Sequence, residues 1–140
     1  MSIQFKNAGI WLLRFIAAFI LIQTLFFKFS ASEESVYIFT ETGMEPWGRI
    51  GTGIAELIAA ILILIPRTTW IGSFMGIGLM SGAIFFHLTK LGIVVKNDGG
   101  LLFIYALVVL ICCVILLLIN RQRISQVLRD MGIIKSGTSL

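Results

Sequence analysis

Apolar residues run nearly unbroken through four stretches of this chain, at about 8–29, 47–65, 70–91 and 101–119, and polar residues collect between them. A helix rises about 1.5 Å per residue, so about 20 residues cross a hydrocarbon core of roughly 30 Å. Each stretch has that length, and the pattern predicts an all-α membrane protein, a four-transmembrane-helix bundle. Residues 30–45, SASEESVYIFTETGME, are of a different kind. Ser30 followed by Glu33 fits a capping box, Val36 and Phe39 share one side of a helix, and Gly43 is placed to stop it. The segment reads as a short amphipathic helix lying on the extracytoplasmic surface between spans 1 and 2.

The interruptions inside the apolar runs carry the remaining information. Arg14 stands about two turns into the first span, with Trp11, Ala17 and Ala18 on its side and Lys28 at the far end. The second span opens at Pro46, stops before Pro66, and holds one carboxylate, Glu56. Arg49, Thr52, Gly53, Ala59 and Ala60 share its face, and such a small, polar face packs inward. In the third span Gly76, Met80, Ala83 and His87 share a face, and Gly72/Gly76 and Gly78/Gly82 are pairs that let helices approach. Asp98 is placed to cap the fourth span, which is otherwise nearly featureless apart from Tyr105, Cys112 and Cys113. The tail, 120–140, alternates Arg121, Arg123 and Arg129 with Ile124, Val127, Leu128 and Met131, a basic amphipathic pattern.

Composition agrees with the pattern. Of 140 residues, 58% are hydrophobic and 13% charged, against roughly 25% charged in soluble domains. The length fits one domain, 1–140. The net charge of +4 comes from basic residues scattered at helix ends. They read as topology determinants facing anionic lipid, with no nucleic acid as partner. Lys6, Arg67, Arg121, Arg123, Arg129 and Lys135 fall on one side of four spans, which puts both termini in the cytoplasm. Arg14 within the first apolar run, and the lack of a small-residue cleavage site, favour a mature helix over a signal peptide. The adjacent Cys112 and Cys113 match neither a redox C-x-x-C nor a zinc spacing and read as small buried hydrophobes.

An ionisable side chain within a bilayer needs a partner. Estimated depths of the first two helices pair Arg14 with Glu56 across about one turn. That ion pair either locks two helices together or serves a function. A second cluster, Lys28, Glu41, Arg49, His87 and Asp98, converges near the outer interface. Either Lys and Arg there snorkel and His87 caps the end of its helix, or the group forms a mixed-charge pocket roofed by the amphipathic helix. A histidine beside a carboxylate exchanges protons near neutral pH, which suits a quinone carbonyl. The sequence holds no haem-type histidine pair, phosphate loop, serine-nucleophile motif or paired-carboxylate signature.

Four pieces together resemble the DoxX family of small bacterial membrane proteins: Lys28-Phe29 closing the first span, GTGIAELIAAILILIPRT in the second, SGAIFFHLTKLGI ending the third, and DGGLLF opening the fourth. They extend from about Arg14 to Leu118. The resemblance implies a four-helix bundle in the bacterial inner membrane. It also implies an association with quinone-linked redox chemistry and a redox partner protein, since the family takes its name from a subunit of a thiosulfate:quinone oxidoreductase. It carries over Lys28, Glu56, His87 and Asp98 as candidate positions without a catalytic role. Two functions stay open: a membrane subunit of a quinone-linked redox system, and a non-enzymatic module that binds a lipid or small lipophile or scaffolds a partner. The glycine pairs add a homo-oligomer as an expectation.

Overall fold

The computed structural model describes residues 3–135, so the end of the basic tail, 136–140, lies outside the described residues. It is all-helical among those residues: α1 (Ile3–Phe29), α2 (Glu33–Glu41), α3 (Trp47–Leu64), α4 (Thr69–Phe86), α5 (Leu101–Ile119) and α6 (Arg121–Asp130). A π-helical turn, His87–Leu91, extends α4. Four of these helices are long and apolar enough to cross a membrane: α1, α3, α4 with its π turn, and α5. Helices suit that setting because each backbone polar group is satisfied within its own segment. The chain is a multi-pass membrane protein with four spans.

The spans form a ring in which α1 and α4 each pack against α3 and α5. The core is built from small and branched residues: Ala17 and Leu21 from α1, Ala59, Ala60 and Ile63 from α3, Val109, Cys113 and Leu116 from α5. Phe15, Phe19, Phe26, Ile54, Phe74 and Ile111 point outward, where hydrocarbon is the natural solvent. The expected inward face of α3 is realised, with Gly53, Glu56, Ala59 and Ala60 all buried. Both cysteines are unpaired thiols facing the core of α5.

The α3–α4 turn is tight because Pro66 ends one helix and two hydroxyls take up the freed carbonyls. Thr68 donates to Leu62 O and Thr69 to Ile63 O, each at 3.0 Å. Immediately beyond, a Cβ on Gly72 would stand 2.7 Å from Ile63 N and 2.8 Å from Ala59 O, so only glycine permits this approach of two backbones. Gly76 similarly faces Cys113 Sγ, whereas Gly78 and Gly82 have nothing within 4 Å of a Cβ. Only one of the two glycine pairs therefore packs within the bundle.

Two capping expectations shift. Helix α2 is capped by Ser32, whose Oγ accepts from Ser35 N, and not by Ser30 with Glu33. The chain turns once more after α1, with Ala31 at φ 52°, before the helix can begin. Gly100 stands at the cap position of α5, and Asp98 reaches the first turn from two residues upstream, accepting from Leu102 N at 3.0 Å.

Candidate functional site: a polar-headed cavity within the bundle

The site begins with an i,i+4 pair on α1, Thr24 and Lys28, which share one face. Opposite them on α3 is Glu56. Lys28 Nζ lies 2.8 Å from Glu56 Oε2 and 3.1 Å from Oε1. The Thr24 hydroxyl lies 3.0 Å from Oε2 and 2.8 Å from Leu21 O. A carboxylate within an apolar helix is thereby given a cation and a hydroxyl from one neighbouring face.

This geometry corrects the pairing of Glu56 with Arg14. Helices α1 and α3 run antiparallel, and the Thr24–Glu56 contact fixes their register. From Arg14 to Thr24 the helix rises about 15 Å, beyond the reach of an arginine side chain. Arg14 instead lies over the Trp11 ring, 4.7 Å from its centroid, and its buried Nε has no hydrogen-bond partner among the described residues. The estimated depth failed because it took Glu56 from the middle of its span without knowing where α3 meets α1.

Arg49, one turn into α3, forms a fork with Glu45: Nε is 2.9 Å from both carboxylate oxygens and Nη2 is 2.7 Å from Oε1. Its Nη1 donates to the Lys28 carbonyl. Arg49 thus ties the end of α1 to the start of α3 and holds the backbone from which Lys28 extends.

His87 is buried at the start of the π turn. Its Nδ1 lies 2.8 Å from Gly92 O. A carbonyl only accepts, so Nδ1 carries the proton and Nε2 of the neutral ring is an acceptor without a partner among the described residues. The Phe103 ring meets the imidazole edge to face at 5.6 Å. Behind it, Asp98 organises the loop by accepting from Val95 N and Gly100 N at 2.8 Å and from Leu102 N. Burial alone would raise the Asp98 carboxyl above its ordinary pKa. The N–H donors of Leu102, Val95 and Gly100 outweigh burial and hold it below. Glu34 on α2 is pushed up by burial and by repulsion from Asp98.

A cavity of about 360 Å³ lies within the ring toward its α2 end. From the spans, Thr24, Lys28, Thr52, Glu56 and His87 are its polar residues, and the α2 segment adds Glu34 with Ser32, Ser35 and Thr42; Leu21, Met80, Ala83, Leu102 and Ala106 supply apolar wall. Helix α2 roofs it with Ser35, Ile38 and Phe39. Lys96 holds this roof to the α4–α5 loop, 3.2 Å from Glu33 Oε1 and 4.9 Å from the Tyr37 ring centroid. Of the six residues expected to form a pocket, Lys28, Glu56 and His87 line the cavity; Arg14, Arg49 and Asp98 do not. Glu41, also expected at this cluster, is exposed on α2. Thr24 escaped the sequence reading although its i,i+4 spacing from Lys28 was a usable signal. Among the described residues no group of His, Cys, Asp and Glu is arranged to hold a metal ion.

Fold and site together define a four-span helical membrane protein with a polar-headed cavity at one end of its bundle. The chain belongs to the DoxX-like family, whose family model matches residues 12–118. It has no significant match among curated proteins or among solved structures.

Proposed function

We propose that this protein binds a small lipophile bearing a polar head, held in the cavity with its head at Lys28, Glu56 and His87. One observation carries this reading: a cation (Lys28), a carboxylate (Glu56), a hydroxyl (Thr24) and an imidazole acceptor (His87), brought from separate helices, face one largely apolar space. Ligand sites are typically concave, mostly apolar, and carry a few placed polar groups that fix orientation. Lys28 and Thr24 can donate; Glu56 and His87 Nε2 can accept. A head with both a carbonyl and a hydroxyl or N–H meets that set.

The quinone-linked reading is a special case of this one. Its support is the unengaged His87 Nε2 together with the Glu56 carboxylate, two proton acceptors on neighbouring helices of one cavity. Lys28 is suited to a ring carbonyl, and the apolar walls to the ring and tail. A bound quinone would supply a two-electron, two-proton couple, and a redox partner protein would exchange the electrons. The topology that fits has both termini on the cytoplasmic side of a bacterial inner membrane, with α2 on the outer surface, because Lys6, Arg67, Arg121, Arg123 and Arg129 gather at the end away from α2.

The test is extraction of the purified protein with organic solvent and identification of the extract by mass spectrometry, against a detergent-only control. A stoichiometric lipophile that is lost from the Glu56→Gln protein is expected. An extract holding only bulk phospholipid in both samples would refute the proposal.

A further inference from the structure

We infer that the lipophile passes sideways between the hydrocarbon and the cavity through a gap between α3 and α4, with Gly78 and Gly82 as its lip; this rests on the cavity being a lipophile site. Near their connecting turn, helices α3 and α4 touch backbone to backbone at Gly72. Further along α4, two other glycines border open space. Gly78 and Gly82 both line the cavity, yet neither has any heavy atom within 4 Å of where a Cβ would stand.

The direction of the opening follows from helical geometry. At 3.6 residues per turn, the cavity lining passes round α4 from buried Met80 through Leu79 to Gly82 and on to exposed Gly78. That flank is the one on which Gly72 meets α3. Gly78 lies near the middle of the span Thr69–Leu91, so the opening lies at the depth of the hydrocarbon.

Other parts of the rim carry larger side chains. On α1 the lining ends at Ile20 and Phe27, whose large side chains stand where α4 offers only glycine. At the membrane-surface end, α2 covers the cavity with Phe39 and is fastened through Lys96. A chain too long for about 360 Å³ can leave over the two glycines, where a Cβ would meet nothing.

The open space at these positions makes a clean test, because a large side chain there fills the gap without displacing the core. Gly78→Trp and Gly82→Trp are compared with wild type and with Gly51→Trp, an exposed glycine on α3 that also meets open space but does not line the cavity. The probe is a benzoquinone with a diazirine-bearing alkyl chain, added to the proteins in phosphatidylcholine vesicles. The readout is the initial rate of photolabelling of cavity residues, with circular dichroism reporting the fold. Both α4 variants are expected to label more slowly by about tenfold or more, with Gly51→Trp at the wild-type rate. Wild-type labelling rates in Gly78→Trp and Gly82→Trp, with labelling still abolished by Glu56→Gln, would overturn the side opening and leave the cavity reading intact. No cavity labelling of wild type would overturn both.

Discussion

Lys28 Nζ lies 2.8 Å from Glu56 Oε2, so the end of α1 and the middle of α3 are joined by an ion pair inside the bundle, at the wall of a cavity. Removing one partner leaves the other as an uncompensated buried charge, which costs about 3–5 kcal/mol. Lys28→Met and Glu56→Leu should each destabilise the protein by about 3 kcal/mol, whereas the double variant should recover most of the loss. Unfolding in mixed micelles measures all four proteins of the cycle. Additive losses would mean that the two side chains do not interact.

Arg14 supplies the complementary case. With its guanidinium stacked on Trp11 and about 15 Å along α1 from Thr24, it shares no partner with Glu56. The effects of Arg14→Ala and Glu56→Gln should therefore add within about 0.5 kcal/mol. A larger coupling energy in the same unfolding assay would restore the direct pair.

The expectation that Arg14 pairs with Glu56 fell short for a physical reason. Length, hydropathy and the small-residue face around Glu56 are local properties of single helices, and they specified four spans and the inward side of α3. The relative sliding of two helices is not local. It is set by contacts such as Gly53 against Phe29 and Arg49 with the Lys28 carbonyl, which the periodicity of either run alone does not reveal. The π turn at His87, which begins just where α4 would otherwise continue, had no sequence signal either. Gly72/Gly76 and Gly78/Gly82 look alike as spacings, although one pair packs against backbone and core and the other borders open space.

That difference between the glycines gives a stability prediction. Gly72→Ala puts a methyl group against the backbone of Ile63 and Ala59, which cannot move aside, and overpacking of this kind costs about 1–3 kcal/mol. Gly78→Ala meets nothing and gains helix propensity, up to about 1 kcal/mol. Thermal melts in detergent should separate the two in opposite directions.

The Asp98 loop predicts a pH effect. Burial raises the Asp98 carboxyl, but its backbone donors hold it below the ordinary value. A carboxyl lowered on folding stabilises fully above its unfolded pKa of about 3.9, and the contribution is lost as pH falls through the lower folded value. Melting temperature should accordingly drop below roughly pH 4. Asp98→Asn should remove that part of the profile and cost about 1 kcal/mol at neutral pH, since an amide keeps one acceptor oxygen and leaves one of the three N–H donors without its partner.

The central claim, that the cavity holds a lipophile by its polar head, is tested most directly by native mass spectrometry of the protein released from native membranes, wild type beside the Lys28→Met/Glu56→Leu double variant. The double variant removes the head-binding pair without leaving a lone charge, so its fold should survive. Wild type should carry a bound molecule of one defined mass, and the folded double variant should carry none. The same bound mass on both proteins, or none on either, would contradict the account.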